Sequence, residues 1–132
     1  MAQLSSMVEI MTFRALFAEL QEEHPQFLEG ILLDEQGAIL EATEETILNA
    51  DEAYSLLVDW ATHQASIMYG GVKYSLLKSE PENLSTYNLN LKEGVVGSIT
   101  RNKVFAVARV RTGDFIELGN SAILLGQKMW EL

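Results

Sequence analysis

Apolar residues recur at two different spacings along this chain of 132 residues, and the places where one gives way to the other mark out its elements. Phe13, Leu16, Phe17 and Leu20 keep the three-to-four-residue rhythm of a helix with one buried face, and Ser6 with Glu9 has capping-box spacing. A helix is therefore predicted from Ser6 to His24, stopped by Pro25. The run Leu28-Glu29-Gly30-Ile31-Leu32-Leu33, the turn residues Asp34-Glu35-Gln36-Gly37 and then Ala38-Ile39-Leu40-Glu41 read as strand, tight turn, strand. Asp34 offers a side-chain acceptor to the following backbone, and Gly37 supplies the positive φ that closes short hairpins. After the mostly polar stretch Thr43 to Leu48, Asn49 and Glu52 again have cap spacing and open a second helix, expected to run to about Met68 and to end at Tyr69-Gly70-Gly71.

This second helix carries two apolar stripes at 100° per residue. Tyr54, Leu57, Val58, Ala61, Ala65 and Met68 form one, and Leu56, Trp60 and Ile67 the other. A surface helix needs a single apolar face, so the second stripe requires cover of its own, and a subunit interface is favoured over a helix sunk deep in its own small core. Residues 72–83 are left open: Val72, Tyr74 and Leu76 alternate, but Lys78 to Asn83 has loop composition with Pro81 inside it. Leu84 to Lys92, Val95 to Thr100 and Lys103 to Arg111 follow as a three-stranded antiparallel meander, with turns at Glu93-Gly94 and Arg101-Asn102. Leu118, Ala122, Leu125, Met129 and Leu132 have helical spacing, beginning either near Thr112 with an Asp114 cap or after Asn120. The expected fold is α/β of the α+β type, one domain over residues 1–132, with a five-stranded antiparallel sheet, helices on both faces and the order α-β-β-α-β-β-β-α.

Composition and charge narrow the partners. Hydrophobic residues make up 48% and charged residues 21%, which is globular composition, and the absence of cysteine excludes disulfides, thiolate metal sites and cysteine nucleophiles. No long apolar run or basic leader stands at the start, so the expectation is a soluble, cytoplasmic protein. The net charge of −10 is uneven: residues 1–60 hold thirteen acids against Arg14, and residues 61–132 hold six against eight Lys or Arg. Such a chain is repelled by nucleic acid and anionic membrane, and a partner with a basic face suits it better.

Candidate chemistry is sparse. Gly70-Gly71 lacks the spacing of a phosphate-binding loop and is expected to cap the helix. Asp59 and His63 are two potential ligands, too few for a metal, and His24 lies on another element. Asp34 and Glu35 sit at a hairpin tip where water keeps both ionised, and no Gly-x-Ser-x-Gly elbow exists. No catalytic residue, metal or cofactor is expected. Arg101, Lys103, Arg109 and Arg111 gather four of the nine cations into eleven positions, as a solvated hairpin end or as a docking patch for an acidic surface.

In its helix Phe13 to Leu20, its hairpin Gly30 to Leu40 with the Asp34…Gly37 turn, and its two-faced helix Asp51 to Met68, the chain resembles the Roadblock/dynein light chain family, which has a profilin-like α/β fold. The resemblance implies a non-enzymatic module that pairs through its second helix and third strand and scaffolds or regulates small Ras-like GTPases. It places a homodimer interface, or one with a related subunit, on Leu56, Trp60, His63, Ile67, Tyr87, Leu89 and Leu91. The alternative expectation is a small-molecule-sensing domain with a pocket beneath the second helix.

Overall fold

The computed structural model describes residues 12–43 and 46–132, so the Ser6–Glu9 cap lies outside the described residues. Helix α1 (Phe13–Glu23) leads into strands β1 (Phe27–Leu33) and β2 (Ile39–Ala42), then helix α2 (Ala50–Ala61). Five consecutive strands follow: β3 (Ser66–Tyr69), β4 (Val72–Glu80), β5 (Asn83–Tyr87), β6 (Gly94–Ile99) and β7 (Phe105–Val110). Helix α3 (Phe115–Met129) comes last. The strands make one antiparallel sheet in the order β2-β1-β7-β6-β5-β4-β3.

Local chemistry sets these boundaries. Thr12 caps α1 by accepting the Ala15 N–H, and the Glu41 carboxylate on β2 accepts the Phe13 N–H at 3.2 Å, tying helix to hairpin. Asp34 Oδ1 accepts the N–H groups of Gln36 and Ala38 at 2.9 Å each, with Gly37 at φ 82°, the turn its residues imply. Asp114 caps α3 by accepting the N–H groups of Ile116 and Glu117, which selects the earlier of the two expected starts.

The expected five-stranded sheet with order α-β-β-α-β-β-β-α is corrected to seven strands, because two strands lie where the sequence reads as helix tail and as loop. Helix α2 ends at Ala61 rather than Met68: His63 turns into the left-handed region at φ 55°, and Ile67 and Tyr69 then face the core while Ser66 and Met68 face away. Trp60 and Ile67 are seven apart, a separation that two helical turns and this helix-to-strand passage satisfy equally. Gly70-Gly71 is no helix cap but the two-residue turn of the β3–β4 hairpin, with φ of 59° and 78°, and the Glu52 carboxylate accepts both of its N–H groups at 2.7 and 2.8 Å. In β4 the register shifts between Leu76 and Lys78, and this bulge breaks the alternation by which a strand is recognised.

The sheet has a core on each face. Helices α1 and α3 press Phe13, Phe17, Leu20, Leu118, Leu125 and Met129 onto Leu32, Val96, Ala106 and Ala108. Helix α2 alone lays Ala53, Leu56, Leu57 and Trp60 over Ile31, Leu33, Leu84, Val95 and Val107 on the other face, beside Ile67, Tyr69 and Tyr74. The stripe expected at a subunit interface is thus the one buried in the chain's own core, and Tyr54 and Val58 of the other stripe are exposed.

Candidate partner-binding face

Helix α1 lies over β1 and β2, and α3 over β5, β6 and β7, so among the described residues β3 and β4 have no packed helix on that side. Met68 pairs with Lys73 and Ser75 with Tyr87 across this open strip. Its apolar part is at the end where α3 begins. The Tyr87 and Phe115 rings lie 4.8 Å apart, and Lys92 runs beside Gly113, so the Asn88–Lys92 loop adjoins the α3 N-terminus. Leu89 is 60% exposed, Leu91 47%, Phe115 47% and Ile116 76%, and none of the described residues covers them. Ile123 and Trp130 continue from Ile116 at seven-residue spacing along the outer side of α3, bordering a shallow groove of about 250 Å³ with Glu82, Asn83 and Gln127.

The loop is held from beneath. Asn88 donates to the Lys73 carbonyl at 3.1 Å and accepts the Leu91 N–H at 3.0 Å, and its backbone pairs with Glu93. Glu93 is in turn the end of a buried ionic chain on the α2 side of the sheet. Arg109 donates to Glu93 at 2.7 Å and to Glu29 at 2.8 Å, Arg111 reaches Glu93 at 3.5 Å, and the Tyr74 hydroxyl donates to Glu93 at 3.4 Å. Burial opposes the charge on Arg109, but its hydrogen bonds to the two carboxylates outweigh that and hold its pKa above the ordinary arginine value. Burial, with the Glu93 charge behind it, pushes the Tyr74 phenol up to about 12, and burial beside Glu29 pushes Tyr69 up as well. Glu29 Oε2 and the Tyr69 hydroxyl are both buried, and among the described residues neither has a hydrogen bond of ordinary geometry.

The structure scatters the residues expected to form a dimer interface. Leu56, Trp60 and Ile67 are in the core, and His63 is exposed beyond α2, with Nδ1 3.1 Å from Ser79 Oγ. Tyr87, Leu89 and Leu91 lie on the open apolar margin beside the α3 N-terminus. The basic cluster is divided as well: Arg101 pairs with Glu131 at 2.8 Å at one end of β7, while Arg109 and Arg111 bind Glu29 and Glu93 at the other. Among the described residues no three His, Asp or Glu gather to hold a metal, and no helix is long and apolar enough to cross a membrane. Sequence reasoning missed Phe115, Ile116 and Ile123. The signal available was the spacing of Ile116, Ile123 and Trp130, opposite Leu118, Ala122 and Leu125.

Loki profilin-3 from a Lokiarchaeum species is 31% identical over 124 residues, spanning 93% of this chain and 99% of that relative. The chain belongs to the profilin family. No protein-family model matches it. Among solved structures, LokiProfilin2 in complex with rabbit actin superposes on this profilin with a TM-score of 0.73 at 15% identity, covering 92% of this chain and 99% of the other. Profilin IA of Acanthamoeba castellanii gives 0.68 at 12% identity, covering 88% and 98%. These likenesses show the profilin fold. They overturn the Roadblock/dynein light chain resemblance, which rested on the helix, hairpin and second helix of the first half; the β3–β4 hairpin lay unseen between the second helix and the meander. The Ras-like GTPase, the homodimer and the small-molecule-sensing alternative, which that resemblance framed, give way with it, and three of the seven expected interface residues, Leu56, Trp60 and Ile67, are core in this profilin.

Proposed function

We propose that this profilin is a non-enzymatic, cytoplasmic actin-binding protein. Actin docks on the face formed by the Asn88–Lys92 loop, Tyr87 and the outer side of α3. The observation that carries this reading is the exposure of Leu89, Leu91, Phe115 and Ile116 in one neighbourhood, joined by the Tyr87–Phe115 ring contact and backed by a fixed loop. Membership of the profilin family and the likeness to a profilin solved with rabbit actin support the choice of partner. Exposed Lys73 and Lys92 stand around the apolar residues, so the face favours an apolar patch with acidic groups at its rim. The protein acts by occupying a surface and supplies no reacting group.

Isothermal titration against monomeric rabbit actin tests this with wild type, Ile116→Glu and Leu89→Glu. Each substitution at the centre of the face is expected to cost about 2 kcal/mol, roughly a 30-fold rise in Kd. Circular dichroism should not change, because both side chains are largely exposed. A wild type that leaves actin unbound, or variants that bind as tightly as wild type, refute the proposal.

A further inference from the structure

On the α2 side of the sheet, at the end away from the Glu29–Arg109–Glu93 chain, a cavity of about 460 Å³ opens between α2, the β4–β5 turn and the β6–β7 turn. Its walls are apolar: Leu57, Trp60, Ala61, Pro81, Ile99 and Phe105. Trp60 is almost wholly buried and floors the cavity, and the half-buried Phe105 ring, which meets it edge to face at 5.2 Å, offers the more open aromatic surface. The size falls within the roughly 300–1,000 Å³ of sites that take small ligands or a few residues of peptide.

The walls are braced by hydrogen bonds that do not use the cavity. Trp60 Nε1 donates to the Glu80 carbonyl at 2.8 Å, and Ser79 Oγ donates to the Trp60 carbonyl at 2.9 Å, which fastens the end of α2 to the end of β4. The Ile99 N–H donates to the Pro81 carbonyl at 2.9 Å and the Lys103 N–H to the Thr100 carbonyl at 3.0 Å, fixing the two turns. Three described residues other than glycine have positive φ, and two of them, His63 at 55° and Lys103 at 61°, line this one cavity. Left-handed backbone costs a non-glycine residue about 1–2 kcal/mol and is concentrated at binding sites.

The rim decides the occupant. Glu35 stands at the tip of the β1–β2 hairpin with no ion pair among the described residues, and Glu80 shares only a loose 3.6 Å pair with the half-exposed Lys78. Lys103 is the one lysine or arginine in the lining. We infer that this cavity is a second docking site, separate from the actin face, which takes a large aromatic side chain of a partner protein flanked by lysine or arginine. The aromatic group enters against Phe105, over the buried edge of Trp60, and the flanking cations meet Glu35 and Glu80 at the mouth.

The test is an amide-correlation NMR titration of the ¹⁵N-labelled full chain with three capped tripeptides: Arg-Trp-Arg, Glu-Trp-Glu and Arg-Ala-Arg. Arg-Trp-Arg is expected to shift the Trp60 indole N–H and the amides of His63, Ile99 and Lys103 in a saturable way, with the other two at least fivefold weaker. Glu35→Gln with Glu80→Gln should raise its Kd about threefold to tenfold, as exposed pairs of this kind allow. Ala61→Trp, at an exposed wall position, should fill the cavity and abolish the shifts while the rest of the spectrum stays folded. Absence of shifts at the lining, equal or tighter binding of Glu-Trp-Glu, or unchanged binding by the folded Ala61→Trp variant overturns the inference.

Discussion

Replacing Arg109 by Met is the sharpest test of what the buried ionic chain on the α2 side of the sheet contributes to this profilin. The guanidinium is the one charged partner of the Glu29 carboxylate among the described residues, and that side chain has 0% exposure, with a second oxygen that has no hydrogen bond of ordinary geometry there. Methionine keeps much of the volume but strands that carboxylate in the core, while Glu93 retains Arg111 and Tyr74. Breaking a buried pair from one side costs about 3–5 kcal/mol, a large share of the roughly 5–15 kcal/mol that keeps a domain folded. Urea unfolding followed by circular dichroism should therefore show a lower midpoint with an unchanged slope, and the thermal midpoint should fall by about 10–20 °C at this size. Adding Glu29→Gln to Arg109→Met removes the stranded charge and should restore at least a third of the loss. A loss below about 1 kcal/mol, or a double variant no more stable than Arg109→Met, would refute the claim that uncompensated burial is the cause.

Alkali should destabilise the protein through its buried phenols. Tyr74, at about 12 in the fold against about 10 unfolded, stabilises fully below pH 10; above it the unfolded chain loses a proton that the fold retains, so stability falls by about 1.4 kcal/mol per pH unit up to pH 12. Tyr69 adds to the same slope, and urea midpoints between pH 9 and 12 should lose part of that slope in Tyr74→Phe. Gly97→Ala should cost about 1–3 kcal/mol in urea unfolding, because a Cβ there meets the Trp60 ring at 2.9 Å in the middle of the sheet. Glu52→Ala should cost about 1–2 kcal/mol and speed hydrogen exchange at Gly70 and Gly71, whose N–H groups the carboxylate accepts.

What the sequence made legible was decided by how local the signal is. The Asp34–Gly37 turn and the caps at Asn49 and Asp114 rest on neighbouring residues, and the structure has each of them in place. The β3–β4 hairpin was hidden because its signals conflict: Ile67 fits the helical period of α2, and a bulge scrambles β4. The dimer surface failed because periodicity shows that a stripe is apolar without showing which stripe the sheet covers. Arg109 looked like a member of a basic patch; its partner Glu29 is 80 positions away, and only the β1–β7 register brings them together.

The two hidden strands are also the ones that create the open face. Seven strands at about 4.8 Å spacing make a sheet roughly 29 Å wide, whereas two helices of about 10 Å each cover roughly 20 Å. Helices α1 and α3 therefore leave about two strands open on their side, and the topology makes these β3 and β4, with Tyr87 and the α3 N-terminus at the margin. On the opposite face a single helix leaves still more to be sealed, and there Tyr69, Tyr74 and the Glu29–Arg109–Glu93 chain take its place at one end while the cavity beside Trp60 remains at the other. A five-stranded sheet, about 19 Å wide, would fit beneath the two helices with no strand left open. The apolar margin at Tyr87, Phe115 and Ile116 is thus a consequence of strand number, set by the β3–β4 hairpin rather than by any motif in the margin itself.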